Sequence, residues 1–96
     1  MKLVLEIDKF VLILSKNAKK QIRTIEKDKK VLHKLFAIFS ELEVNPYSTT
    51  HKFEHLRHNL SGYCSKRLDH KNRVVYSVQD DIVTVEIVSI LGHYED

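Results

Sequence analysis

The sequence predicts an α+β fold in which two helices near the N-terminus pack on one face of a mostly antiparallel β-sheet. Three observations predict it. Two apolar stripes of helical period follow one another between residues 16 and 44. Strand-like runs separated by short turns fill the second half of the chain, and short connections make neighbouring strands antiparallel. The apolar run FVLIL at residues 10–14, of strand length, precedes the helices.

Taken in order, residues 2–7, KLVLEI, read as a short strand or an ordered extension. The continuous run at 10–14 has the pattern of a strand covered on both faces. Ser15 is placed to cap a helix by accepting from a free amide of the first turn. Ala18, Ile22 and Ile25 then recur at helical spacing, with Lys16, Lys20, Arg23 and Lys27 on the opposite side. Asp28 caps a second helix. Val31, Leu35, Ile38 and Leu42 form its seam, widened by Leu32, Phe36 and Phe39. This is the largest apolar surface of the chain and is expected against the sheet. Asn45-Pro46 ends the helix, because the residue before proline is pushed out of helical geometry. Residues 47–53 are polar and loop-like. Strands are expected around 54–59, 63–68, 73–79 and 82–91, with turns at Ser61-Gly62, at 69–72 and at Asp80-Asp81. In the last strand Val83, Val85 and Ile87 share the face toward the helices. Val74, Tyr76 and Val78 do so in the one before, whose other face carries Arg73 and Ser77.

A chain of 96 residues with 43% hydrophobic content and a single cysteine is expected to form one domain, 1–96, in a reducing compartment. No apolar run reaches the ~18 residues of a membrane span, and the charged, uncleavable start does not read as a signal peptide. The expected location is cytoplasmic, with no membrane partner. The net charge of +3 is unevenly spread, with eight basic residues between Lys16 and Lys34 and six between Lys52 and Arg73. Two basic zones suit a polyanion or an acidic protein, and equally a solvated surface.

The chemistry concentrates in residues 54–76 and at 93–94. Cutting RNA without a metal requires a base for the ribose 2′-hydroxyl, a cation for the phosphorane and an acid for the departing 5′-oxygen. Glu54 is a carboxylate set among His51, Lys52, His55, Arg57 and His58. Arg57, Arg67 and Arg73 carry guanidiniums that match phosphate oxygens. His93 supplies an imidazole, and Tyr63 and Tyr94 can stack on a base. The same residues also compose ordinary surface ion pairs. Two further constellations stand beside this one. His51, His55 and His58 would align as zinc ligands, with Glu54 or Cys64, only if that segment were helical. Cys64 falls in a strand pattern, which favours a packed thiol over a nucleophile. The chain has two glycines, so no glycine-rich phosphate loop is present.

The run EHLRHNLSGYCSKRLDHKNRVVYSV from Glu54, followed by GHY at 92–94, resembles the YoeB/Txe family of toxins in the RelE-like superfamily. The resemblance is carried by LRHNLSGY, SKRL and NRVVY. Over residues 9–45 it rests on the strand–helix–helix order, and residues 1–8 look like an N-terminal extension. The resemblance implies a compact RelE-like domain whose mostly antiparallel sheet is twisted. It implies the toxin of a type II toxin–antitoxin system, a metal-independent endoribonuclease that cuts mRNA in the ribosomal A site and needs no cofactor. A catalytically decayed module of the same fold, binding RNA or protein without cutting, is the alternative. Implied partners are a YefM/Phd-type antitoxin, the ribosome and its mRNA, and a second toxin copy, with operator DNA reached only through the antitoxin. Residue by residue, the resemblance implies Glu54 as general base, Arg73 as transition-state cation, His93 as acid with Tyr94 beside it, and Arg57 as phosphate binder. Lys66 and Arg67 are the basic pair that holds RNA. Cys64 stands where relatives generally carry an aromatic residue.

Overall fold

The computed structural model describes residues 9–90. Two side-chain caps start the helices. Ser15 Oγ accepts from the Ala18 amide at 3.0 Å and opens α1 (Lys16–Ile25). Asp28 accepts from the Val31 amide at 3.2 Å and opens α2 (Lys29–Val44). Asn45 closes α2 with its own amide on the Glu41 carbonyl, just before the proline. Both helix starts and the stop thus follow local chemistry legible in the chain.

The strands are β1 (Val11–Leu14), β2 (Glu54–His55), β3 (Cys64–Arg67), β4 (Arg73–Gln79) and β5 (Thr84–Ser89), in the sheet order β1-β5-β4-β3-β2. β1 runs parallel to β5, and every other pair is antiparallel. The helices carry the chain from β1 to β2 at the opposite edge of the sheet, and β3, β4 and β5 then step back until β5 lies beside β1. Ser15 ties their start to the sheet by donating to the Val88 carbonyl at 2.9 Å, and the Ile90 amide donates to Gln21 on α1.

The core lies between the helices and one sheet face. Ala18, Leu35, Ile38 and Leu42 meet Cys64, Leu68, Val74, Tyr76, Val85 and Ile87, all buried. Tyr76 is fully enclosed, and its hydroxyl donates to the Pro46 carbonyl at 2.6 Å. A buried phenol needs such a partner, and this one pins the end of α2 to the centre of the sheet.

Several expectations are corrected. Among the described residues β1 is an edge strand and is not covered on both faces: Val11 and Ile13 are 59% and 50% exposed. A continuous apolar run cannot by itself distinguish these two settings. Phe36 projects from α2 at 53% exposure instead of widening the seam. The strand expected at 54–59 stops at His55. A short 3-10 turn (His58–Leu60) follows, with His58 at φ 56°. The last strand begins at Thr84, because Val83 closes the Asp80–Ile82 turn in left-handed geometry at φ 48°. The second face of β4 is not simply exposed, since Val75 is buried there. A bulge at this point sets Val75 against Ser89 and Tyr76 against Ile87, leaving Val88 as the extra residue.

Candidate active site

The register of β2, β3 and β4 fixes which side chains share the face opposite the helices. Glu54 pairs with Ser65, Ser65 with Val75, and Arg67 with Arg73. Residues directly opposite in an antiparallel ladder lie on the same face. One carboxylate, one hydroxyl and two guanidiniums are therefore gathered from three strands.

Arg73 is the centre of this group. Its Nη2 lies 3.3 Å from Glu54 Oε1, and its Nη1 donates to Ser65 Oγ at 3.3 Å. Ser65 is fully buried. The Arg73 side chain is 17% exposed and Glu54 is 53% exposed. The guanidinium is thus held from behind, while the carboxylate stands at the rim. Arg67 sits directly across the ladder from Arg73. Like charges in that relation destabilise a sheet. The Asp69 turn sets this pairing. Asp69 Oδ1 accepts from the Lys71 and Asn72 amides at 2.8 and 2.9 Å, and the Leu68 amide meets the Asn72 carbonyl. Burial pushes the Asp69 carboxyl up, but these hydrogen bonds outweigh it and hold it below the ordinary value.

An open depression of about 710 Å³, lined by Glu54, His55, Leu56, Arg57 and His58, adjoins this group. Arg57 is exposed at the start of the 3-10 turn. Tyr63 is half-buried; its carbonyl accepts from the Leu56 amide, extending the β2–β3 pairing by one step. Gly62, at φ 94°, makes the reversal that brings Tyr63 back beside Leu56. His93 and Tyr94 lie outside the described residues.

Lys66 is a correction. It is expected on the RNA surface beside Arg67, yet it is fully buried on the helix side of β3. Its ammonium contacts the Ser48 carbonyl (2.8 Å), Ser48 Oγ (3.1 Å), the Thr50 carbonyl (3.0 Å) and Thr50 Oγ1 (3.2 Å). Glu41 Oε1 stands 3.9 Å away. Strand alternation sends adjacent residues to opposite faces, so Lys66 and Arg67 cannot both face a phosphate. Burial pushes the Lys66 ammonium below its ordinary value, with Glu41 pulling the other way.

The histidines are also separated. His51 Nε2 lies 2.8 Å from Glu41 Oε2. His55 stacks near Tyr47 and meets Phe53 edge-on, with Nδ1 3.5 Å from Cys64 Sγ. The helix that would align them does not form, and no group of three metal-ligating side chains exists among the described residues. Cys64 packs in the core, and burial pushes its thiol up, as expected for an inert cysteine. Ser65 and Glu41 are the residues that the sequence reading passed over. Ser65 had one signal, its alternation with Arg67; Glu41 had none, because its role depends on a loop folding back onto α2.

Comparison with known proteins decides the family. A family model described as the YoeB-like toxin of bacterial type II toxin–antitoxin systems matches residues 16–94. The chain belongs to this family. Toxin YoeB of Escherichia coli O6:H1 is 37% identical over 60 residues, 62% of this chain and 71% of the relative. Among solved structures, the YoeB/ParE toxin from Agrobacterium tumefaciens shares the fold at a TM-score of 0.82 and 21% identity, over 88% of this chain and all (100%) of that one. The heterotetrameric YoeB–YefM complex from Staphylococcus aureus reaches 0.76 and 30%, over 88% and 98%. The YoeB dimer from the same species reaches 0.77 and 30%, with the same coverage. The YoeB-like fold accounts for the mixed five-stranded sheet with its two helices. No helix among the described residues is long and apolar enough to cross a membrane.

Proposed function

We propose that this YoeB-like toxin is an endoribonuclease that cuts mRNA in the ribosomal A site by metal-independent acid–base chemistry and so stops translation in the cytoplasm. The observation that carries the reading is the Glu54–Arg73–Ser65 arrangement, a rim carboxylate touching a guanidinium that is anchored from below.

In this reading Glu54 takes the proton of the 2′-hydroxyl, whose oxygen attacks the adjacent phosphorus. The P–O5′ bond breaks, a 2′,3′-cyclic phosphate forms, and the leaving 5′-oxygen takes a proton from His93. Arg73 stabilises the charge that grows on the phosphorane oxygens, since a preorganised donor needs no reorganisation during reaction. Arg67, across the ladder, and Arg57, beside the depression, hold flanking phosphates. Tyr63 and Tyr94 stack on bases. The ion pair with Arg73 also keeps Glu54 in place before RNA arrives. A YefM/Phd-type antitoxin is the proposed inhibitor, in line with the staphylococcal complex, and the staphylococcal dimer supports a homodimer as the free form. Operator DNA is reached only through the antitoxin. Residues 1–96 are taken as one domain.

Cleavage mapping by primer extension on ribosome-bound mRNA tests this. The wild-type chain is expected to give a cut in the A-site codon that Glu54→Ala and Arg73→Ala abolish. No cut by the wild-type chain, or undiminished cutting by both variants, overturns the proposal.

A further inference from the structure

We infer that buried Lys66 is a positioning residue for Glu54, acting through the loop at 48–53; this rests on the proposed role of Glu54. Apart from Arg73, little holds Glu54. It lies in a two-residue edge strand paired with Ser65 and Cys64 and extended by a single bond from the Leu56 amide to the Tyr63 carbonyl. Immediately before it the pairing breaks register. The Arg67 amide donates to the His51 carbonyl at 2.6 Å. Glu54 pairs with Ser65, so between these two points the loop side spans three residue steps against two on β3, taken up by a turn at 50–52. His51 and Lys52 make it with φ of 55° and 52°. Neither is glycine, and consecutive left-handed residues are unfavourable unless the surroundings hold them.

Lys66 supplies the holding contacts. Its ammonium has three protons and meets four oxygens of Ser48 and Thr50, so at least one proton is shared. It also lies 5.4 Å from the centre of the Phe53 ring, the residue next to Glu54. Glu41 on α2 completes the clasp. It accepts from Thr50 Oγ1 in a short hydrogen bond and from Ser48 Oγ at 3.4 Å, and it pairs with His51. A loop of small polar residues is thus pinned between a buried cation on β3 and a carboxylate on α2. Ser65 and Lys66, neighbours on β3, divide the work between the two sheet faces. Ser65 holds Arg73 on one, and Lys66 holds the segment that delivers Glu54 on the other.

The test uses Lys66→Met/Glu41→Gln, which removes the cation together with the carboxylate beside it, with Lys66→Arg as the conservative control. Amide hydrogen exchange is expected to rise about tenfold or more at residues 50–55 in the double variant, while β4 and β5 keep their protection. On ribosome-bound mRNA kcat is expected to fall about 10- to 100-fold, because small misplacements of a catalytic group are costly. KM should stay within about twofold, since phosphate contacts are untouched. Lys66→Arg should recover most of kcat. Unchanged exchange at 50–55 overturns the inference, as does wild-type kcat in a double variant whose loop is released. A general loss of protection in β4 and β5 also overturns it, since Lys66 would then be a core residue only. If the wild-type chain does not cut at all, the proposed function fails, and the exchange result alone decides whether Lys66 holds the loop.

Discussion

Replacing Arg73 by lysine keeps the charge and removes the fork, so it isolates what the geometry contributes. In the structure Arg73 uses one terminal nitrogen on Ser65 and the other on Glu54, each at 3.3 Å. A lysine ammonium is one point on a flexible stem and cannot occupy both positions while presenting an edge to phosphate. The expected loss is that of a preorganised transition-state donor, about 2.7–4 kcal/mol or 10²–10³ in kcat. Stability should change far less. Glu54 is 53% exposed, so the ion pair is screened and is worth only about 0.2–1 kcal/mol. For a domain of this size about 1 kcal/mol corresponds to about 4–8 °C in Tm, so Arg73→Lys should melt within a few degrees of wild type. Single-turnover cleavage of ribosome-bound mRNA, read by primer extension, gives the rate; calorimetry on the same preparation gives Tm. A rate within about threefold of wild type would refute the reasoning that separates the fork from the charge. So would a rate loss accompanied by collapse of the fold.

Three further outcomes follow from the core and the loop. Tyr76→Phe leaves the Pro46 carbonyl without its buried donor; the expected cost is about 1–3 kcal/mol, measured by urea denaturation, and an unchanged midpoint would contradict it. Glu41 experiences burial that raises its pKa, but bonds from Thr50 and His51 and the nearby Lys66 leave it below the ordinary 4.5. The folded value is depressed, so its contribution is present above about pH 4.5 and fades as pH falls through the folded value. Glu41→Gln should therefore be less stable than wild type at pH 7, and the two should converge in acid; a constant difference across that range argues against it. Cys64 should react with a soluble disulfide reagent at least about 100-fold more slowly in the native chain than in urea, since reaction waits for opening; comparable rates would place the thiol at the surface.

Much of the fold was legible because local chemistry decides it. Ser15, Asp28 and Asn45-Pro46 mark helix ends through side-chain and backbone hydrogen bonds that involve only near neighbours. The alternation in Arg73–Gln79 fixes which residues face the helices. What was not legible depends on distant segments meeting. FVLIL could not announce that nothing in residues 9–90 covers Val11 and Ile13. Lys66 looks like any basic strand residue until the loop at 48–50 and Glu41 surround it. The site shows the same division. Glu54 and Arg73 were visible as residue types and through the family resemblance. Their contact, and the buried Ser65 behind it, required the register of three strands.

That register also explains why the site sits where it does. Opposing guanidiniums at Arg67 and Arg73 weaken a ladder, and the strand pair β3–β4 has only four paired positions to absorb that cost. Glu54 offsets part of the repulsion by pairing with Arg73. It does so from β2, the shortest strand and one of the two sheet edges. A carboxylate on a longer, central strand would be equally close but would be buried, and a buried carboxylate locked to arginine is poorly placed to exchange protons with a ligand. The edge position therefore keeps Glu54 accessible while leaving it weakly held. If Lys66 positions Glu54 as inferred, the Lys66–Glu41 clasp on the other face offsets this, holding an exposed rim carboxylate through contacts made on the helix side.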